Sequence, residues 1–521
     1  MLTVWLNKYK YTLILILIII IAVFFRFWQF NSIPPGLYQD EAMNGADALS
    51  SLENGNFDLF YTNNNGREGM IIWLDALSIK LLGTETWVLR LFPTLAGVLS
   101  VLGLYFLTKK LFTVEIALAS SFFMAISFWA VNFSRIGFRA GLMLPFLIWS
   151  FYFLLRGFKT ENKIYNFIAA GVLFGLGFYT YISYRFTPIL AAMFFIFHFT
   201  KYGAKNFWLK FAIFSVTTFI VALPIGLYFL NNPSDFLGRS GQVSIFRADN
   251  PLKAFVLSAA ATFGMFNIIG DFNWRHNFAG SPLLFWPVGI LFLLGIYLAL
   301  KEVRFQKYPK SDFGYKFMLA WLGIFLLPNI LSTEGNPHAL RALGVMPAVM
   351  IFAGIGLVWL YQKCQEYLAY RGQFLRIKKE VFILLIIFLL FISFSEFNKY
   401  FVRWASNIKT AEAFSQNQVK IADYLNATSK DIKKYVIWSS DDRPTGNDLP
   451  VSAQTVFFLT YKKYDINYVK SNEIDRINLE LNNAIVIPIY FDLELLHYLN
   501  KKFSASKIEF IDLNTPILIV P

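Results

Sequence analysis

Apolar stretches long enough to cross a bilayer recur along most of this 521-residue chain. A spanning α-helix needs about 20 predominantly apolar residues. Here 56% of the residues are hydrophobic and only 15% are charged. Because hydrocarbon offers the backbone no hydrogen-bond partners, such stretches must form helices. The sequence therefore predicts a polytopic α-helical membrane protein. About eleven spans are expected, at 11–30, 87–107, 114–132, 140–155, 164–182, 186–200, 210–230, 282–300, 317–331, 342–361 and 381–396.

The basic residues lie mainly in short loops between these spans. The Lys-rich loops are at 8–10, 109–110, 156–163, 201–210, 301–316 and 363–379. Such loops stay on the cytoplasmic side, which predicts a multi-pass protein of the plasma or inner membrane with its N-terminus inside and its C-terminus outside. The distribution also accounts for the net charge of +14, so no nucleic-acid partner is expected. The single cysteine, Cys364, excludes an intramolecular disulfide.

The last part of the chain has a different composition. After Phe397, short apolar runs at 435–438, 484–490 and 516–520 alternate with helical patterns such as 492–502. This alternation favours a small soluble α/β domain. The predicted domains are a membrane domain at 1–396, which includes an outer loop at 31–86, and an extracytoplasmic α/β domain at 397–521.

The outer loop carries two helical patterns of its own. Apolar residues recur at helical spacing over 40–53, followed by Gly55, and over 68–82, followed by Gly83. A glycine just past the last periodic residue is typical of a helix end. We expect two amphipathic helices on the outer membrane surface.

An adjacent pair of carboxylates, Asp40 and Glu41, follows the Pro-Pro-Gly turn at 34–36 and opens the first of these helices. The unpaired N–H groups and the dipole of a helix start favour an ionised carboxylate, so this pair is the leading candidate for a catalytic centre. The alternative is that Asp40 only caps the helix. A second acid with a basic neighbour, Glu68 beside Arg67, is expected to open the second helix, where the alternative is an ordinary solvated helix start.

Basic side chains from distant parts of the chain are predicted on the same outer face. They are Arg135, Arg139, Arg185, Arg275 and Arg341, together with His276 and His338. The planar guanidinium suits phosphate because it makes paired, charge-assisted hydrogen bonds. The alternative for any one Arg is contact with lipid headgroups. The two histidines with Asp40 and Glu68 could hold a divalent metal, although their spacing matches no recognised metal motif.

Together these motifs resemble a known family. The outer loop opens with Asp40-Glu41 and continues through Gly-Arg-Glu-Gly at 66–69 to Arg-Leu-Phe-Pro at 90–93. This order is similar to that of the GT-C membrane glycosyltransferases, specifically the bacterial type of the protein mannosyltransferase and aminoarabinose-transferase-like group. The segments 134–139, 274–277 and 337–341 also resemble that group. The resemblance covers about residues 5–400 and implies a GT-C-like fold.

The resemblance implies transfer of a hexose or pentose from a polyprenyl-phosphate carrier to an acceptor hydroxyl at the outer face of the membrane, with inversion at the anomeric carbon. Asp40 would be the general base that takes the proton from the attacking hydroxyl. Positive charge would stabilise the departing phosphate. The other roles that it implies are Glu41 as the second carboxylate of the catalytic pair, Glu68, His276 and His338 on the acceptor or metal side, Arg139 and Arg341 as first phosphate ligands, and Arg67, Arg135 and Arg275 as further ones. No cofactor is assigned, and a divalent metal held by Asp40, Glu68 and His276 is left open.

One position departs from the family pattern. Where the aminoarabinose branch usually has Glu-Lys-Pro, this chain has Glu68-Gly69-Met70. The missing lysine argues against transfer of aminoarabinose to lipid A. It does not affect the reaction class.

Two other function classes fit parts of the sequence. A transporter or flippase of a lipid-linked glycan would use the same arginines to bind phosphate without chemistry. Transporters usually bury ionisable residues near the middle of the membrane, whereas the candidate charges here gather at one interface, which favours an enzyme. The third class is a membrane anchor for an extracytoplasmic binding domain. The sequence does not specify the sugar or the acceptor, which could be a protein, a lipid or a polysaccharide of the cell envelope.

Overall fold

A computed structural model describes residues 2–159, 163–203, 207–305, 312–369, 374–445, 447–463, 465–476, 483–504, 506–512 and 515–520. Parts of four predicted cytoplasmic loops, at 160–162, 204–206, 306–311 and 370–373, lie outside these residues. The helices, numbered along the chain, are α1 (Leu2–Phe27), α2 (Gln39–Asn54), α3 (Met70–Leu82), α4 (Leu91–Leu111), α5 (Val114–Ile126), α6 (Phe128–Arg135), α7 (Arg139–Lys159), α8 (Ile164–Gly177), α9 (Thr187–Tyr202), α10 (Phe207–Asn231), α11 (Pro233–Gln242), α12 (Pro251–Gly264), α13 (Trp286–Phe305), α14 (Asp312–Ile330), α15 (Met346–Ala369), α16 (Phe374–Phe397), α17 (Ile408–Ala413), α18 (Gln416–Ala427), α19 (Gln454–Thr460) and α20 (Leu493–Lys502). The strands are β1 (Phe60–Tyr61), β2 (Arg67–Glu68), β3 (Lys433–Trp438), β4 (Ile466–Lys470), β5 (Ala484–Pro488), β6 (Lys507–Asp512) and β7 (Thr515–Val520).

The described residues form two compact units. The membrane unit consists of Met1–Trp28 and Phe92–Trp404, and the α/β unit consists of Gln29–Leu91 and Ala405–Pro521. The sequence had grouped the outer loop with the membrane domain, whereas the contacts group it with the C-terminal residues. As a functional division, the predicted boundary at 396/397 stays a prediction.

Each of the eleven predicted spans overlaps a helix. Within the described ranges, eight helices are long and apolar enough to cross a membrane, or nine if the bent pair of α5 and α6 counts as one span. Of the remaining two, α8 has only 14 residues and α13 is not among those eight. The predicted polytopic helical fold is confirmed, and the number eleven stays a prediction.

Helices α13 and α15 pack closely against each other in the membrane unit. A Cβ placed on Gly295 would lie 1.9 Å from the carbonyl oxygen of Phe352, and one on Gly356 would lie 2.1 Å from that of Leu291. Glycine at both contacts lets the two backbones touch, as is common between membrane helices. Accordingly α15 belongs to the most enclosed span, with 89% of its apolar window buried.

The α/β unit contains the predicted C-terminal sheet. Five strands lie in the order β4-β3-β5-β7-β6, in which β4, β3 and β5 are parallel and β7 is antiparallel to both β5 and β6. Ile421 of α18 and Val456 of α19 pack on one face of the sheet, and Leu496 and Leu499 of α20 pack on the other. Because both faces are covered, the strands are mostly apolar, as their short runs in the sequence predicted.

Two helices follow each other in the outer loop, as predicted. α2 ends at Gly55, whose φ of 72° is left-handed, and α3 ends at Gly83. The predicted start of the second helix at Glu68 is wrong, because Arg67 and Glu68 form β2 and pair with β1. A turn with positive φ at Asn64, Asn65 and Gly66 folds the chain back into this hairpin, so the helix begins only at Met70.

Candidate active site

Glu41 is locked at the start of α2. Its carboxylate accepts hydrogen bonds from the Arg90 guanidinium, at 3.0 Å from Nε and 3.1 Å from Nη2, and both side chains are fully buried. It also accepts from the backbone N–H of Tyr38 at 3.1 Å, which satisfies one of the donors that a helix start leaves open. Arg90 in turn donates to the carbonyls of Pro34 and Gly36, at 2.9 and 2.7 Å. Glu41 and Arg90 therefore fix the turn that precedes Asp40.

Asp40 has a different environment from its neighbour. Its side chain is half-buried, and Oδ1 accepts a hydrogen bond of 2.9 Å from the amide of Asn64 in the β1–β2 turn. The described contacts of Asp40 thus leave part of its carboxylate accessible. Two adjacent acids in unlike environments can take different roles, and Asp40 is the more exposed of the two.

Arg67 and Glu68 are enclosed within the α/β unit. Arg67 donates to Asn44 Oδ1 at 2.6 Å, and it also contacts Asp47 and Asn63. Only 2% of Glu68 is exposed. These contacts give Arg67 a structural role, so its assignment as a phosphate ligand stays a prediction with weaker support.

A third buried acid, Asp75 on α3, lies in the same unit and was not singled out from the sequence. Only 1% of it is exposed, and neither carboxylate oxygen has a hydrogen-bond partner among the described residues. Burial, and next the charge of Glu41, raise the pKa of the Asp75 carboxyl well above its usual value. The protonated form of Asp75 is therefore favoured over a wider pH range than that of an exposed aspartate.

In the membrane unit, two loops meet at a cluster of Asp271, His276 and His338. His276 Nδ1 lies 2.9 Å from Asp271 Oδ2, and the backbone N–H of Ala339 donates to the same oxygen at 2.8 Å. The two imidazole rings are 4.7 Å apart. Asp271 therefore joins the loop after α12 to the loop after α14.

Both histidines of this cluster favour the neutral form. Burial lowers the pKa of His276, and nearby Arg275 and Arg341 also lower it, whereas the hydrogen bond that His276 donates to the Asp271 carboxylate raises it. Burial, and next the proximity of His276, lower the pKa of His338 well below its usual value. A neutral imidazole can coordinate a metal ion.

The cluster has the composition of a divalent-metal site. Its three ligand atoms lie within 4.8 Å of one another, and nitrogen with carboxylate oxygen is a set that Zn²⁺ accepts. Asp271 accepts a hydrogen bond from Nδ1 of His276. It would therefore orient the imidazole ring and leave Nε2 as the nitrogen that could bind a metal ion. The predicted metal set of Asp40, Glu68 and His276 draws on both units and stays a prediction. Asp271 was missed from the sequence, although an acid five residues before His276 was a visible signal.

Two of the predicted phosphate ligands lie beside this cluster. Arg341 contacts the backbone oxygen of Glu334 and bonds its carboxylate at 2.9 Å, and Arg275 is half-exposed. Burial lowers the pKa of Arg341, but a guanidinium keeps its charge at neutral pH. Arg139 lies 5.6 Å over the ring of Tyr181. Arg139 and Arg275 are partly exposed and Arg341 is buried, and the role of these three arginines at a phosphate stays a prediction.

Arg135 and Arg185 have structural contacts instead. Arg135 is fully buried and donates to the carbonyls of Phe25 and Trp28, at 3.2 and 2.8 Å. Arg185 donates to the carbonyl of Phe236 at 2.6 Å. Their roles at a phosphate therefore stay predictions without support from this geometry.

Several solved structures share this fold. ArnT from Cupriavidus metallidurans bound to undecaprenyl phosphate matches with a TM-score of 0.54 and 12% identity, covering 100% of this chain and 98% of that chain. The Archaeoglobus fulgidus oligosaccharyltransferase in its apo form matches with a TM-score of 0.53 and 14% identity, over 93% of this chain and 70% of that chain. AglB from Archaeoglobus fulgidus in complex with an inhibitory peptide and a dolichol-phosphate matches with a TM-score of 0.51 and 14% identity. The match covers 97% of this chain and 73% of that chain. The fold is that of the GT-C membrane glycosyltransferases.

A family model matches part of the chain. Residues 69–228 match the family described as dolichyl-phosphate-mannose-protein mannosyltransferase. A comparison with curated protein sequences finds no match. The matched segment is less than a third of the 521 residues, so the comparison shows similarity to that family over this segment.

Proposed function

We propose that this protein is an inverting glycosyltransferase that moves a sugar from a polyprenyl-phosphate donor to an acceptor hydroxyl on the outer side of the membrane. The observation that carries the proposal is the contrast between Asp40 and Glu41. Glu41 is fully buried and paired with Arg90, whereas Asp40 stays half-buried, with an amide as its described partner. A base that must meet a substrate needs this second kind of environment.

In the proposed reaction, the acceptor oxygen attacks the anomeric carbon while Asp40 takes the hydroxyl proton. The new bond joins the anomeric carbon to the acceptor oxygen, and the bond to the phosphate oxygen breaks. Polyprenyl phosphate leaves with the electron pair. Attack opposite the leaving group inverts the configuration at the anomeric carbon.

Arginines of the membrane unit are the proposed ligands of the departing phosphate. Arg139 and Arg275 combine positive charge with partial exposure, and Arg341 is a buried cation near His276 and His338. Charge that is already in place when the phosphate becomes more negative lowers the barrier. The two similar proteins described with undecaprenyl phosphate and with a dolichol-phosphate support a donor of this chemical class.

A metal at Asp271, His276 and His338 is compatible with this function but is not assigned a step. When bound, a divalent ion would supply positive charge near Arg275 and Arg341. Asp271 would orient His276, and both histidines would act as neutral ligands. The base role of Asp40 does not depend on that ion.

The test is transfer of radiolabelled sugar from a panel of synthetic polyprenyl-phosphate monosaccharides by the full chain in nanodiscs. Native membrane extract serves as the acceptor, and each reaction is run with and without a chelator. We expect Asp40→Asn to lower kcat by about 10²- to 10⁴-fold and to leave the donor KM nearly unchanged. Arg341→Gln is expected to raise the donor KM. The matched control is Asp58→Asn, an exposed acid of the same outer loop, which should keep wild-type kcat.

Two results would contradict the proposal. Full activity of Asp40→Asn would remove Asp40 from the base role. Donor binding without turnover, under every condition and with extract supplied, would favour a flippase of lipid-linked glycans instead.

A further inference from the structure

The span formed by α5 and α6 is broken at Ser127, where the two helices meet at an angle of 57°. In a continuous helix the N–H of Phe128 would bond the carbonyl of Met124, and the next N–H would bond that of Ala125. Here the N–H of Phe128 donates instead to Oε2 of Glu396, at 2.8 Å. The break therefore leaves helix-end groups that need other partners inside the membrane unit.

Arg26 supplies the partners on the other side of the break. Its Nη2 donates to the carbonyl of Met124 at 3.2 Å, and its Nη1 donates to that of Ala125 at 2.9 Å. Arg26 is fully buried and 3% of Glu396 is exposed. A cation thus meets the negative end of α5, and a carboxyl oxygen meets the positive end of α6, which is the favourable sense for both helix dipoles.

The short helix α6 in turn holds both loops of the histidine cluster. Trp129 Nε1 donates to the carbonyl of Ala339 at 3.2 Å, next to His338. Asn132 Nδ2 donates to the carbonyl of Arg275 at 2.7 Å, next to His276. Asn132 and Trp129 are both completely buried. Each loop of the cluster is therefore fixed through its backbone by one side chain of α6.

The segment after Glu396 reaches the same loop. Trp404 Nε1 donates to the carbonyl of Trp274 at 2.9 Å, and Lys399 Nζ donates to that of Pro282 at 3.3 Å. The last span thus contacts the loop directly and also through α6. Buried charges in membrane proteins are costly, so their retention points to a function.

We propose that Arg26 and Glu396 are positioning residues that hold the broken span, so that α6 fixes the loops carrying His276 and His338. Their effect on transfer rests on the function proposed above. Their effect on the two loops does not, and it can be measured separately.

The chain has only four histidines, so the reactivity of each can be followed in one sample. The measurement is the rate of carbethoxylation by diethyl pyrocarbonate in nanodiscs, read by mass spectrometry. His198 is buried elsewhere in the membrane unit and His497 is exposed in the α/β unit, and these two serve as internal references. Sugar transfer is measured on the same preparations.

We expect Glu396→Leu to speed the modification of His276 and His338 by about tenfold, because a buried helix end loses its acceptor and the loops open locally. His198 and His497 should react at wild-type rates. Glu396→Gln keeps an oxygen that can accept from Phe128 and should stay near wild type.

The proposal is overturned if Glu396→Leu leaves His276 and His338 as protected as in the wild type, or if it exposes His198 to the same extent. If Glu396→Leu does not fold, Asn132→Leu is tested in its place. This variant removes only the hydrogen bond to the Arg275 carbonyl, and it is expected to speed the modification of His276. A wild-type rate of His276 modification in Asn132→Leu would also overturn the proposal. Wild-type protein that shows no transfer, while its variants show the expected histidine pattern, would contradict the proposed function alone.

Discussion

Arg90 binds both carboxylate oxygens of Glu41, at 3.0 and 3.1 Å, and neither side chain is exposed to solvent. The same guanidinium donates hydrogen bonds to the carbonyls of Pro34 and Gly36. An ion pair in this position connects the stability of the α/β unit to the placement of Asp40. The acid that looks equivalent to Asp40 in the sequence therefore has a different task in the fold.

Glu41→Leu is expected to destabilise the protein strongly. Removing one partner leaves the Arg90 charge buried and uncompensated, which costs about 3–5 kcal/mol. The midpoint of thermal unfolding in detergent measures the effect, and the double variant Glu41→Leu with Arg90→Met should lose less than the sum of the two single losses. The control is Glu53→Gln, whose pair with Lys462 is exposed and worth about 0–1 kcal/mol. A Glu41→Leu protein as stable as the control would show that the pair does not hold the unit.

Gly36→Ala is expected to disturb the turn before Asp40. Gly36 has a φ of 82°, and an added Cβ would lie 2.4 Å from the carbonyl oxygen of Phe414. Left-handed backbone costs a residue with a Cβ about 1–2 kcal/mol, and overpacking adds about 1–3 kcal/mol. We expect a lowered unfolding midpoint and a reduced kcat for sugar transfer.

Gly55→Ala is the matched control for that turn. Gly55 has a φ of 72°, but a Cβ there meets no atom within 4 Å. The Gly55→Ala variant should lose the stability that left-handed backbone costs, but it should show no loss from a steric clash. It should keep wild-type kcat. Equal losses in the two variants would mean that the contact with Phe414 does not matter.

The helices could be predicted because apolar length alone decides them in a membrane. α10 occupies Phe207–Asn231, where the sequence predicted a span at 210–230. The break between α5 and α6 could not be predicted in this way, since Ser127 is a single polar residue in an apolar run. The partners of the break, Arg26 and Glu396, lie 99 and 268 residues away from the groups that they bind.

The candidate site was predictable in part. Asp40 lies in the first turn of a helix, as its pattern indicated. The enclosure of Arg67 was not foreseen, because the Asn-Asn-Gly segment at 64–66 was not identified as a hairpin turn. Asp271 escaped notice because its role depends on a hydrogen bond from Ala339, 68 residues away.

Asp271→Asn is expected to weaken divalent-metal binding by the membrane unit. The carboxylate orients His276 and raises its basicity, and loss of such a partner typically costs about 10- to 100-fold in affinity. Calorimetric titration of the full chain in nanodiscs with Zn²⁺ at pH 7.5 measures this. Asp249→Asn, an exposed acid of the same unit, is the control. Zn²⁺ affinity that does not change in Asp271→Asn would place the ion elsewhere or leave the cluster without one.

Asp75→Asn is expected to stabilise the protein increasingly as the pH rises. The unfolded chain loses this proton near pH 3.9, whereas burial raises the pKa of Asp75 in the folded protein. Above pH 3.9 the folded state therefore binds more protons than the unfolded state, so this group lowers stability as the pH increases towards its folded pKa. The slope approaches about 1.4 kcal/mol per pH unit, and an uncharged amide of the same shape removes it. The difference between the unfolding midpoints of the variant and the wild type should therefore grow as the pH rises from 5 towards the folded pKa of Asp75. Asp58→Asn, which changes an exposed acid, should show a constant difference. A difference for Asp75→Asn that stays flat or shrinks with pH would mean that the Asp75 carboxyl is ionised in the folded protein.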